Sequence, residues 1–403
     1  MQTLAYIEEK KYNGIDDIKE IVNDFYKKKI TVSYEPLVEN NSKRRVIFTC
    51  SKKVRNYTFD EIALECNGLI LESIGEKWNA LVVPMLSPKT DVNTRKINEW
   101  LSENIYEVCA MEDGTTINLY NYEGRWIIST ARGFNMNDVK FNNLTYQVLL
   151  DECISRYTST EDFYKALDEN YCYTLGFKHP DMHPFREGKE EDIYKVWCIQ
   201  KVNLAENSLV PQRGSFLKEL PLQKKINFKT KNMHNLYKRL KSSYDDYISG
   251  RSPNYGYILV SNKPNTTKEF SVLMLESSLM KSIRNLWYNG TYVLCSKARE
   301  CDRISLILLN SYLDDTRHAT FLNLFPQFSE KFVEFEKKED EMIGSIYAII
   351  KKTNETETNA ALQYLANEVQ STLTISLYSN PTQKIKDIIH CNKYIYAYYD
   401  LFF

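Results

Sequence analysis

A chain of 403 residues is long enough for two or three domains and for at least one large core. With 52 Lys and Arg against 53 Asp and Glu, the net charge of -1 excludes a global attraction to nucleic acid, so any RNA or DNA site must be a local patch. Hydrophobic residues at 43% and charged residues at 26% are those of an ordinary soluble globular protein.

No run approaches the roughly 20 apolar residues of a membrane span, and the start "MQTLAYIEEKKYN" lacks the apolar region of a signal peptide. The nine cysteines are scattered, odd in number and without a CxxC pair, which indicates neither a zinc site nor a disulfide framework. A cytoplasmic, reducing location is expected. The richness in Asn, Lys, Ile and Tyr fits an AT-rich genome such as that of a large virus or a protist.

In chain order, residues 15–29 carry apolar positions at helical spacing and end in a lysine run. The pattern then changes to the short segments "RRVIFTC", "NGLILES" and "WNALVVPML", which read as strands with Gly68 and Pro84 as punctuation. "TTINLYNYEGRWIISTARGF" is a hairpin around Tyr122, Glu123 and Gly124. Residues 144–169 read as helix, and strands return at "YCYTLGF", "DIYKVWCIQKVNL" and "YGYILVSN". From about residue 300, "ISLILLNSYLDD", "FSEKFVEFEKKEDEMIGSIYAIIKK" and "NAALQYLANEVQSTLTISLY" are helix-periodic. These readings predict an α+β fold with antiparallel sheets over residues 1–290 and an all-α domain over 295–403.

The stretch "AMEDGTTINLY" reads alone as an acidic turn before a strand, with Met111 in the core. Its neighbours widen that reading. "RRVIFTCSKKVRNYTFDEIALECNGLILE", followed by "VVPMLSPK", "MEDGT" and "WIISTARGF", resembles the adenylyltransferase domain of T4-type RNA ligases, members of the covalent nucleotidyltransferase superfamily. The resemblance covers roughly residues 45–290. It implies a nucleotidyltransferase (ligase) fold, an ATP and Mg2+ requirement in active members, and RNA as partner. The family's Lys-x-Asp-Gly motif falls on Met111, Glu112, Asp113 and Gly114. A lysine there attacks the α-phosphorus of ATP to form lysyl-AMP; the thioether of Met111 has no amine with which to do so.

The supporting motifs depart as well. The family's arginine after Glu-Cys falls on Asn67, which keeps hydrogen bonding but brings no charge. Arg132 in "STARGF" keeps a cation suited to a phosphate. The third motif's glutamate falls on Thr174 or Gly176, the fourth motif's acid on Tyr255, and the fifth motif's lysines on Met274 and Glu276, with Lys281 and Arg284 one or two turns on. Glu112, Asp113, Gly114, Asn67 and Arg132 are thus the candidate nucleotide residues. Lys43, Arg44, Arg45, Lys281 and Arg284 are the candidate RNA contacts.

Basic residues interleave with tyrosines at Lys27, Lys28, Lys29, Lys43, Arg44, Arg45, Lys52, Lys53 and Arg55. A second group lies at Lys224, Lys225, Lys229, Lys231, Lys238, Arg239 and Lys241. Both suit RNA or a solvated face. "HPDMHP" reads as a structured loop, because Pro180 and Pro184 remove the regular helix on which His179 and His183 would share a metal. No P-loop and no GxSxG elbow is present. Three functions remain open. The first is a non-catalytic RNA- or nucleotide-binding protein or subunit of an RNA-processing assembly. The second is an active ATP-dependent RNA ligase in a Lys-to-Met form, and the third a scaffold without ligand. In such ligases an appended helical module helps choose the RNA, a role expected here of "FLNLFPQFSEKFVEFEKK".

Overall fold

The chain opens with two helices, α1 (Gln2–Glu9) and α2 (Ile18–Lys27). On α2, Ile18, Ile21 and Phe25 recur at helical spacing and bury one face, as the reading of 15–29 anticipated. The computed structural model describes residues 1–14, 16–35, 43–51, 61–88, 106–141, 143–185, 194–205, 211–212, 220–223, 225, 233–261, 272–288, 303–351, 359–372, 380–390 and 392–403.

After α2 come β1 (Ile30–Tyr34), β2 (Lys43–Cys50), the short helix α3 (Glu61–Glu65), β3 (Asn67–Ile74) and β4 (Lys77–Val82). These four strands form one antiparallel sheet in sequential order, backed by α1 and α2 through Ile21, Phe25, Val46, Phe48 and Leu71. Next are β5 (Tyr106–Ala110), β6 (Thr115–Tyr122), β7 (Arg125–Ser129) and the two-residue strands β8 (Lys140–Phe141) and β9 (Leu144–Thr145). Glu123 and Gly124 both take positive φ, 53° and 76°, which gives the β6–β7 hairpin its two-residue turn. The helices α4 (Tyr146–Ile154) and α5 (Thr160–Lys165) follow. Then come β10 (Tyr171–Lys178), β11 (Lys195–Asn203), β12 (Pro211–Gln212), α6 (Met233–Ile248), β13 (Gly256–Ser261), β14 (Val272–Glu276) and α7 (Ser278–Ile283).

The second sheet is five-stranded, in the order β12-β11-β10-β6-β7, and a third joins β14, β13 and β5. Strand alternation divides the five-stranded sheet into two faces. Tyr173, Leu175 and Phe177 on β10 join Ile117 and Leu119 on β6 in a core with Leu149, Leu150 and Cys153 of α4. The other face therefore carries Cys172, Thr174, Gly176 and Lys178 beside Thr116, Asn118 and Tyr120. That face holds the candidate site.

Two compact units are present, Met1–Met280 and Lys281–Phe403. The division comes earlier than the 290–300 span expected from sequence, and residues 289–300 lie outside the described residues. Trp287 stacks on Phe328 at 5.8 Å and meets Phe325 at a tilt at 5.5 Å, which ties the π-helical turn Arg284–Tyr288 to the helices that follow. Those helices are α8 (Arg303–Tyr312), α9 (Asp315–Leu324), α10 (Ser329–Ile350), α11 (Ala360–Thr372), α12 (Pro381–Ile389) and α13 (Ile395–Phe402), and no strand occurs among the described residues of this unit.

A buried carboxylate stands at the centre of the second unit. Glu339 on α10 is fully buried and accepts hydrogen bonds from the hydroxyls of Tyr312 and Tyr398, from His390 Nδ1 at 2.9 Å, and from Lys386 Nζ at 3.0 Å. Burial alone would raise its pKa, but the donors from His390, Tyr398 and Lys386 hold it down to about 2. His390 Nε2 donates to Tyr312 O at 3.2 Å, so both ring nitrogens act as donors, and the hydrogen bond to Glu339 raises its pKa. We expect the network's stabilisation of this unit to be complete below the ordinary histidine value of 6.5 and to fade as pH rises through the higher His390 value. Acid should remove the Glu339 contribution progressively as pH falls from the ordinary value of 4.5 to about 2. Glu339→Ala, which strands the donors, should cost about 3–5 kcal/mol. Thermal unfolding of wild type and variant across pH checks both; a pH-independent difference would refute the ionic account.

Candidate functional site

The turn Met111-Glu112-Asp113-Gly114 links the three-stranded sheet to the five-stranded one, since it joins β5 to β6. Met111 N donates to Gly256 O at 3.0 Å, continuing the β5–β13 ladder in which Ala110 opposes Tyr257. Gly256 has φ +131°, and a Cβ there would stand 2.2 Å from Leu275 O, so glycine is required where β13 meets β14. The stretches carrying Met111, Tyr255 and Met274–Glu276 are thereby neighbours. A second junction unites "ECNG" with "STARGF". Gly68, at φ +96°, lies so near the hairpin that a Cβ would meet Thr130 O and Ala131 Cα at 2.8 Å. Thr49 Oγ1 also donates to Ala131 O at 2.9 Å.

The space beside the turn is filled by the protein itself. Lys178, at the end of β10, and Asp113 are each only 1% exposed, and Lys178 Nζ lies 3.5 Å from Asp113 Oδ2. The ammonium also sits over the rings of Phe185 and Tyr255, 5.6 and 5.7 Å from their centroids. Trp197 on β11 opposes Gly176 on β10 and covers it: a Cβ on Gly176 would fall 2.2 Å from the indole, and one on Gly114 would fall 2.5 Å from it. Thr174 Oγ1 donates to Asn118 Oδ1 at 2.9 Å, so both polar groups are satisfied within the sheet.

"HPDMHP" forms a single helical turn, with His183 N donating to His179 O at 2.8 Å. Both imidazoles are buried and engaged. His179 N donates to His183 Nδ1 at 3.2 Å, which leaves the Nε2 proton of neutral His183 for Thr115 Oγ1 at 3.0 Å. Burial, with Lys178 nearby, pushes His183 down to about 4 and keeps it neutral. Asp181 N donates to His179 Nδ1 at 3.2 Å, and His179 Nε2 faces Glu152 Oε2 at 2.8 Å. Among the described residues, no group of three or more His, Cys, Asp or Glu is arranged to hold a metal ion.

The other candidates divide sharply. Arg132 is exposed at the hairpin end, and its backbone N donates to Thr130 Oγ1; Asn67 and Glu112 are half-buried. Arg44 and Arg45 are buried. Arg45 forms a two-pronged ion pair with Glu35, donates to the Tyr120 hydroxyl at 2.8 Å and stacks on Tyr122 at 4.0 Å. The cause is topological: both faces of β2 are covered, Val46 and Phe48 packing beneath α1 and α2 and Ile47 packing with Tyr120 and Ile127 of the five-stranded sheet, so adjacent arginines on opposite faces are both enclosed. Lys281 and Arg284 belong to the second unit. The Lys43 side chain and Lys52, Lys53, Arg55, Lys224, Lys229 and Lys231 lie outside the described residues. Lys225 pairs with Glu107 at 3.0 Å. Lys178 and Trp197 were missed from sequence. Alternation along "YCYTLGFK" does place Lys178 on the face of Thr174 and Gly176, but only the register with β11 brings Trp197 over Gly176.

No family model matches the chain. Two African swine fever virus proteins named "Putative RNA-ligase" are similar over most of their length. The Pig/Kenya/KEN-50/1950 protein is 27% identical over 341 residues, 73% of this chain and 72% of that one. The Tick/Malawi/Lil 20-1/1983 protein is 26% identical over 370 residues, 83% and 77%. The chain is RNA-ligase-like. Among solved structures, an archaeal ATP-dependent RNA ligase matches this RNA-ligase-like protein with a TM-score of 0.43 and 12% identity over 83% of this chain and 82% of that one. An ATP-dependent DNA ligase of Aquifex aeolicus matches with 0.42 and 12% over 81% of each. Likenesses this distant do not bear on the chemistry.

The Lys178–Asp113 pair invites a direct test on the RNA-ligase-like domain. Lys178→Met strands a buried carboxylate and should cost about 3–5 kcal/mol, while Lys178→Met with Asp113→Asn should recover most of that loss. Urea unfolding measures it, and equal stability of all three proteins would show that the pair holds nothing together.

Proposed function

We propose that this RNA-ligase-like protein binds RNA without forming lysyl-AMP. The observation that carries the reading is Met111, 7% exposed, at the end of the strand where the resemblance puts the nucleophilic lysine. Forming a phosphoramidate requires an amine that gives up a proton as the N–P bond forms and pyrophosphate leaves. A thioether offers neither the nitrogen nor the proton.

The surroundings support the same reading. Asp113 already faces Lys178, a tyrosine stands where the fourth motif has an acid, and Trp197 covers Gly176 in the region of the third motif's glutamate. These residues do not furnish the oxygen donors that a magnesium triphosphate needs, and the proposed function has no ATP or Mg2+ step. Exposed Arg132 remains available to a phosphate. RNA as partner follows the RNA-ligase relatives, whose viral source fits a viral origin for this chain.

The test uses α-labelled ATP with magnesium, followed by denaturation. We expect neither wild type nor Met111→Lys to retain label, while wild type retains RNA on a filter. Label on wild type would sink the reading. Label on Met111→Lys alone would show that the site still takes ATP and would favour an active ligase stopped by one substitution. Absence of RNA retention would leave the scaffold reading.

A further inference from the structure

With Arg44 and Arg45 turned inward, the cationic surface of the first sheet lies elsewhere. Lys10 and Lys11 follow α1, and Lys27, Lys28 and Lys29 end and follow α2. Lys10 Nζ and Lys28 Nζ lie 5.7 and 4.8 Å from the centroid of the same Tyr6 ring, so the two helix ends converge. Beside them Tyr26 is 77% exposed, the most exposed large apolar side chain among the described residues. The nearby carboxylate of Asp24 is occupied by internal donors, the hydroxyls of Tyr6 and Tyr12 at 2.6 and 3.1 Å.

Backbone conformation separates this surface from an ordinary solvated face. Among the described non-glycine residues, only Lys11, Lys29 and Glu123 have positive φ. Lys11 and Lys29, at 55° and 61°, close the two helices, the place where glycine serves without steric cost. Lys10 and Lys27 already suit the helix macrodipole. Lysines at 11 and 29 thus add charge where the turn itself favours glycine.

We propose that this surface binds single-stranded RNA, its lysines pairing with phosphates and Tyr26 stacking on an unpaired base. The choice of RNA rests on the function proposed above; the surface rests on its own geometry. Lysines with one open aromatic ring match a flexible strand, which offers charge and an unstacked base together, whereas a duplex keeps its bases stacked inside.

Fluorescence anisotropy of the full chain with a labelled single-stranded RNA of about a dozen nucleotides tests it. Tyr26→Ala should weaken binding about 5- to 30-fold, and Tyr26→Phe should restore it. Lys27→Gln with Lys29→Gln should lower the slope of log affinity against log salt by about 1.4, roughly 0.7 for each lost phosphate contact. Duplex RNA should compete poorly. Tyr26, Lys27 and Lys29 are exposed, so melting curves should match wild type. Wild-type affinity in both variants would overturn this surface while leaving the RNA reading intact. Failure of wild type to bind RNA would overturn both. Tyr26→Ala at full affinity, or a duplex competing equally, would also overturn the proposal.

Discussion

Two opposite charges held out of water at 3.5 Å, Lys178 and Asp113, are the constraint on which the rest of the candidate site depends. Removing either ion from water costs several kcal/mol, and that cost is recovered only if the partner is fixed in place. Fixing it requires the end of β10 and the turn after β5 to meet in one register, which the β10–β6 ladder supplies. The rings of Phe185 and Tyr255 then shield the ammonium. The positive charge is thereby paired within the protein.

Much of this architecture was legible in the sequence because it is local. The period-two runs became β2, β3, β4, β10 and β11, and the Glu-Gly turn became a hairpin with both residues at positive φ. The apolar spacing after residue 300 became helices. Local patterns could not show that Arg45 would spend its guanidinium on Glu35 and Tyr120, because that depends on the five-stranded sheet covering one face of β2. Nor could they place Trp197 over Gly176, since cross-strand register is set by pairing residues far apart in sequence. The contacts of the residues before the expected boundary are likewise invisible to local pattern. "NLWYNG" looks like an ending, but Trp287 is held by Phe325 and Phe328 from about forty residues on.

The two units handle buried charge by different means. In the first, one lysine answers one carboxylate, with aromatic faces as the remaining surroundings. In the second, Glu339 gathers four donors from α8, α12, α13 and the residue that caps α12. A carboxylate shared so widely acts as a polar keystone, holding helices that apolar packing alone would leave free to slide.

The hydrogen bond from Met111 N to Gly256 O involves main-chain atoms alone. Such a bond takes no notice of which side chain residue 111 bears. The frame that would present a nucleophile is therefore maintained independently of the nucleophile. A protein built this way can change trade without changing shape, because its scaffold and its reactivity are written in different parts of the same residue.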